Sequence, residues 1–135
     1  MQEALAIAAV GVLLVLVFGS SWLLRRRPKK LNKDYYNNRW QALQKLLKEK
    51  STWPLAVIDA DKLLDDVLKR SKYKGKSMGE RLVSAQRDIS DNDAVWFGHK
   101  LRNRLVHESN VNLSQKDVKD ALLGIRQAMK DLGAL

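Results

Sequence analysis

The sequence has no cysteine and only two prolines, Pro28 and Pro54. Without cysteine no disulfide can staple the fold, and no thiol is available as nucleophile or zinc ligand. A reducing compartment fits this usage without being required by it. Histidine is scarce as well, with His99 and His107 alone in the chain. Acid is nearly missing from the first 33 residues, where Glu3 stands alone. There is no sustained period-2 alternation and no turn pair flanked by β-branched runs, which excludes a strand-built fold. Walker loops, G-x-G-x-x-G, G-x-S-x-G and H-E-x-x-H are all absent, so nucleotide-loop, α/β-hydrolase and zincin chemistry have no carrier.

What is present divides unevenly. The 135 residues allow one compact domain. The net charge is +10, and Arg25, Arg26, Arg27, Lys29, Lys30 and Lys33 form a cluster with no acid among them. Ala4 to Leu24 carries no charge, and its 21 positions would rise roughly 31 Å as a helix, about one hydrocarbon core. Trp22 falls where an aromatic belt residue would sit. A cleaved signal peptide fits less well, because no cation precedes the apolar run and no A-x-A site follows it. The expectation is an anchor at 1–24 and a basic juxtamembrane linker at 25–34. The chain would then be a single-pass protein of the inner or plasma membrane, N-terminus outside and C-terminal domain cytoplasmic, with the lipid bilayer as a partner.

Residues 35–135 read as a four- to five-helix up-and-down bundle, so the fold class is all-α. Helical spacing predicts Tyr35 to Lys50, with Trp40, Leu43, Leu46 and Leu47 on one side. A second helix is predicted after Thr52, with Pro54 in its first turn, running to Arg70. Val57, Ala60, Leu64, Val67 and Leu68 mark it as a core helix, and Asp65–Lys69 and Asp66–Arg70 are i,i+4 pairs. A short helix from Met78 to Arg87 follows a lysine-rich loop. Ser90, with Asp93 three on, is expected to cap a helix to Glu108. Ser114, with Asp117, is expected to cap the last, to Gly133.

The segment Trp96-Phe97-Gly98-His99-Lys100-Leu101-Arg102-Asn103-Arg104-Leu105-Val106-His107 holds both histidines. At 100° per residue, Ala94, Phe97, Leu101 and Leu105 share one arc, expected to face the core. Val95, Trp96, His99, Arg102, Asn103, Val106 and His107 share another. Mixing Trp and Val with Arg, Asn and His there suggests a contact surface, with Val95, Trp96, His99 and Val106 as a candidate dimer face. His107 also has a plain reading, as a histidine complementing a helix C-terminus. Lys72, Lys74 and Lys76, with Arg104, are weaker candidates for a nucleic-acid backbone. Asp59, Asp61, Asp65 and Asp66 lack histidine partners on their helix, so no metal site is assigned, and no cofactor.

Arg102-Asn103-Arg104-Leu105-Val106-His107 resembles the R-N-x-x-x-H signature of the HEPN (higher eukaryotes and prokaryotes nucleotide-binding) superfamily. The resemblance covers the part from Tyr35 onward in helix number as well as motif; the N-terminal segment is outside the family pattern. It implies a homodimer in which two motifs meet across a two-fold axis, and a metal-independent endoribonuclease or an RNA-binding module. Carried over, His107 would handle the proton of the ribose 2′-hydroxyl or of the leaving group, Arg102 would hold the phosphate, and Asn103 would orient both. Histidine suits proton transfer near neutral pH, and a guanidinium matches phosphate bidentately. Many relatives keep the bundle without cleaving, so a non-catalytic, tethered dimerisation module that meets a protein partner is the alternative.

Overall fold

The computed structural model describes residues 1–23 and 30–135 and is all-helical among them. The helices are α1 (Gln2–Leu23), α2 (Lys33–Gln44), α3 (Trp53–Arg70), α4 (Met78–Ala85), α5 (Asn92–His107) and α6 (Gln115–Asp131). Two short 3-10 segments, Lys45–Lys48 and Lys50–Thr52, join α2 to α3.

The expected membrane anchor is not sustained. Among the described residues no helix is long and apolar enough to cross a membrane. α1 has 22 residues, but Gln2 and Glu3 precede its unbroken apolar stretch and Gly19-Ser20-Ser21 follow it. Ala4 to Phe18 rises about 22 Å, short of the roughly 30 Å hydrocarbon core. Counting through to Leu24 admitted those three small or polar positions as if they were apolar filler. The single-pass placement and its N-out orientation are withdrawn with the anchor. Arg25, Arg26, Arg27 and Lys29, and the side chain of Trp22, lie outside the described residues, as does half of the expected linker 25–34. α1 itself presents Ile7, Val10, Leu13 and Val15 to its surroundings, each more than half exposed.

The bundle is built around α3, which packs against α2, α4, α5 and α6, while α5 and α6 form the most extensive helix pair. Its core stripe is as expected: Val57, Ala60, Leu64, Val67 and Leu68 are all fully buried. Tyr36, Trp40 and Leu43 bring α2 onto it, and Leu82, Ile125 and Met129 complete the centre. Two glycines allow α5 and α6 to meet closely. A Cβ on Gly124 would lie 2.3 Å from the Ala94 carbonyl oxygen, and one on Gly98 would lie 3.0 Å from that of Ala121.

The helix ends follow from local chemistry. Asn32 accepts from the Tyr35 backbone N–H and starts α2 two residues before the expected Tyr35. Ser114 and Asp117 form the reciprocal capping box of α6. Ser77 caps α4, accepting from the Glu80 N–H. Ser90 does not cap α5; Asp91 does, accepting from the Ala94 N–H, while Ser90 donates from its backbone N–H and its hydroxyl to Asp131. Thr52 precedes α3, yet its hydroxyl bonds back to the Leu46 and Glu49 carbonyls, folding the 3-10 turn against the helix start.

α3 and α6 end in the same motif. Gly133 takes φ +80° after α6, and the Ala134 N–H reaches the Met129 carbonyl at 2.8 Å. After α3 the equivalent left-handed residue is Lys72, at φ +61°, and the Tyr73 N–H reaches the Leu68 carbonyl at 3.1 Å. A lysine thus occupies a position where glycine is the usual solution.

A buried polar ring at the candidate functional site

The most unusual feature of the core is a carboxylate. Asp61 is 1% exposed on the inner face of α3, one turn from both Val57 and Leu64. Burying a lone carboxylate costs so much that it must be met by donors. His99 of α5 meets it: Nδ1 lies 3.0 Å from Oδ1 and 3.3 Å from Oδ2. A carboxylate can only accept here, so Nδ1 is the donor and Nε2 lies outside this bond. Asn103, one turn along α5, places Nδ2 at 3.4 Å from that Nε2. Its Oδ1 accepts from Arg102 Nη1 at 2.9 Å. Arg102 Nε then returns to Asp61 Oδ2 at 3.4 Å. Four side chains close a ring: Asp61, His99, Asn103, Arg102.

The ring's weak point is Arg102. Its Nε is within ion-pair range of Asp61 but makes no hydrogen bond. The attraction is therefore coulombic, and the fork is not locked. The guanidinium is also the ring's route outward, because the Arg102 side chain is 29% exposed against 2% for Asp61. Burial raises the Asp61 pKa above its ordinary 3.8; the hydrogen bond and charge of His99 and the charge of Arg102 pull it back without cancelling the rise. Trp96 covers the imidazole edge-on, with ring centroids 5.7 Å apart.

α5 is rotated relative to the expectation. Val95 is fully buried and His99 is 7% exposed, so neither lies on an open dimer face. Phe97, expected in the core, is 40% exposed. The reason is that α5 packs on two neighbours at once. Ala94 and Gly98 meet α6 closely, and His99 meets α3, with Asp61 there to receive an imidazole. Trp96 is half-buried and Val106 is exposed, so these two remain outward from the expected dimer face.

His107 is the last residue of α5 and is exposed, as the motif reading requires. It is five positions from Arg102, which on a helix is about 140° round the axis. Asn103 lies between them, one turn before His107. A single protomer bonds Arg102 to Asn103, while His107 lies one turn beyond Asn103 and well round the axis from Arg102.

The other candidates stand on their own. Arg104 is exposed and pairs with Glu108 at 3.5 Å. Lys72, Lys74 and Lys76 are exposed on a loop that α4 holds in place. The Arg81 guanidinium bonds Asp65 at 2.8 Å and the Gly75 carbonyl at 2.9 Å, and Ser84 donates to the Lys74 carbonyl. The expected pairs Asp65–Lys69 and Asp66–Arg70 are present at 2.8 and 2.9 Å. Among the described residues no three His, Asp or Glu are grouped to hold a metal ion.

Asp61, weighed in the sequence only as a metal ligand and set aside, is the member of the candidate site whose partners the sequence did not reveal. The signal was its register: spaced four after Val57 and three before Leu64, it sits on the apolar stripe of α3 where a carboxylate needs a partner. No protein-family model, curated protein or solved structure matches the chain.

Proposed function

We propose that the bundle is a HEPN-like domain whose α5 motif acts on RNA as a homodimer, with Arg102, Asn103 and His107 as a metal-independent phosphodiester site. The observation that carries this reading is the ring. It orients Arg102 and Asn103 from beneath, leaves the guanidinium partly open, and is followed one turn later by an exposed imidazole. On this reading His107, about 140° round the axis from Arg102, works with a second copy that supplies the remaining groups across a two-fold axis.

In the proposed chemistry, His107 takes the proton from a ribose 2′-hydroxyl as the oxygen attacks the adjacent phosphorus. The bond to the 5′-oxygen breaks, and that oxygen leaves with a proton from water, whose hydroxide the protonated imidazole then neutralises. The products are a 2′,3′-cyclic phosphate and a 5′-hydroxyl end. Arg102 balances charge on the phosphate oxygens, where a guanidinium fits bidentately. The test is the full chain on end-labelled RNA in chelator, against His107→Ala and Arg102→Ala. Cleavage by the parent that falls at least about a hundredfold in each variant, the low end of what general acid–base catalysis contributes, supports the reading. Equal cleavage by all three, or none, removes it.

A second reading is favoured by Val106, half exposed on the helix that also carries the half-buried Trp96. On this reading α5 is a contact surface between copies or with a protein partner, without chemistry. Trp96→Ala then dissociates the assembly in sedimentation, while His107→Ala leaves it intact.

A further inference from the structure

A groove on the other side of α3 shares no residue with the ring. It has a volume of about 650 Å³ and runs between α2, the start of α3 and α6. Its floor is apolar: Trp40, Leu47, Trp53, Val118 and Leu122. Its rim is cationic. Lys116, Lys119 and Arg126 all come from α6, and no acidic residue lines the groove.

The two sides of this groove ask for different things. Trp40, Val118 and Leu122 are at least 94% buried and form a firm wall. Trp53 is pinned by donating its indole N–H to the Leu47 carbonyl at 3.0 Å. Trp40 has no such partner: its Nε1 is buried and unbonded. On the rim, Lys116 is occupied by Asp120. Lys119 and Arg126 have no ion-pair partner among the described residues. They are seven positions apart on one face of α6, about 10.5 Å along the axis, and flank Leu122 and Leu123.

Size and charge choose the occupant. A volume near 650 Å³ is that of a small-ligand cleft and is too small to bury a helix such as α1. α1 is also nearly uncharged, so it would leave Lys119 and Arg126 unanswered. We infer that this groove is a binding site for a small amphiphilic carboxylate, its apolar tail against Trp40, Leu47 and Trp53 and its carboxylate between Lys119 and Arg126.

The probe is dodecanoate below its micelle concentration, with dodecyltrimethylammonium as the same tail bearing the opposite charge. The chain has four tryptophans, hence four indole N–H signals in a ¹H–¹⁵N spectrum of the full chain. Trp40→Phe and Trp53→Phe assign two of them. Dodecanoate is expected to shift the Trp40 and Trp53 signals saturably and to leave that of Trp96 in place. Lys119→Glu with Arg126→Glu is expected to weaken this binding at least about tenfold, with an unchanged fold by circular dichroism. Lys100→Glu with Lys130→Glu, both exposed and outside the groove, matches the change in net charge and should change affinity less than about twofold. The inference is overturned if dodecanoate shifts neither indole at millimolar concentration. It is also overturned if the cationic amphiphile binds equally well, or if the charge reversals do not weaken the carboxylate.

Discussion

Removing the acceptor at the centre of the ring should unfold much of what the bundle has to spare. Asp61 is 1% exposed and His99 is 7% exposed, so neither has water to fall back on. Asp61→Ala leaves the His99 Nδ1–H without an acceptor and the Arg102 charge without its counterion. Breaking a buried pair in this way costs about 3 to 5 kcal/mol, about a fifth or more of the stability of an ordinary domain. Asp61→Asn keeps an oxygen for the Nδ1–H and loses only the charge. Because burial raises the Asp61 pKa above 3.8, its charge is held at a cost, and Asn should therefore be less destabilising than Ala. The sign with pH is set by the same shift. A carboxyl whose pKa is raised on folding binds more protons folded than unfolded, so its contribution falls as pH rises from 3.8 through the folded value. The parent should therefore gain stability relative to Asp61→Asn as pH is lowered toward 3.8. Urea denaturation of the parent, both variants, His99→Leu and the Asp61→Ala/His99→Leu pair measures all of this. The double variant should recover about 1 to 3 kcal/mol over the sum of the singles. Equal losses for Ala and Asn, or a strictly additive pair, would refute the ring as an energetic unit.

Other outcomes follow from single positions. Gly124→Ala sets a Cβ 2.3 Å from the Ala94 carbonyl oxygen and should cost at least about 2 kcal/mol by overpacking, despite alanine's better helix propensity. Gly79→Ala meets only ordinary contact with Trp96 at 3.5 Å and should be neutral or stabilising by up to about 1 kcal/mol; thermal denaturation of the two variants checks the contrast. Lys72→Gly relieves a left-handed lysine at φ +61° and should raise stability by about 1 kcal/mol, whereas Lys72→Ala should not, as chemical denaturation will show. Below pH 3.8 the sign reverses. Burial works against the ionised Asp65 and Asp131, but Arg81 and Lys69 at the first and Ser90 and Gln127 at the second hold both pKa values below 3.8. Their contribution is present above 3.8 and lost as pH falls through those lowered values, so Asp131→Asn should flatten the acid limb of a pH–stability curve.

The sequence was most legible where interactions are local. The Ser114–Asp117 box and the pairs Asp65–Lys69 and Asp66–Arg70 span three or four positions, and each is where spacing alone puts it. The apolar stripe of α3 was legible for the same reason. Competing local donors blurred the rest. Ser90 and Asp91 are adjacent cap candidates, and only the distant Asp131, which accepts from Ser90, decides between them. The predicted first helix to Lys50 ends at Gln44, because Thr52 and Trp53 fold back on the Leu46 and Leu47 carbonyls. The candidate site was half legible. Arg102, Asn103 and His107 were visible as a motif, but the orientation of α5 was not. A single apolar arc put Phe97 inward and His99 outward, whereas a helix wedged between α3 and α6 buries two arcs. The partner that makes a buried His99 tolerable is Asp61, 38 positions away, and no periodicity reaches that far.

The central claim is that α5 supports phosphodiester chemistry across two copies, and mixed dimers test it most directly. Arg102→Ala chains and His107→Ala chains, each inactive alone, are mixed and assayed on labelled RNA in chelator, with the product ends identified by mass. A composite site predicts that the mixture regains a substantial fraction of parental cleavage and leaves 2′,3′-cyclic phosphate ends. Parental chains that cleave while the mixture stays as inactive as either variant, or parental chains that leave RNA intact, would contradict it.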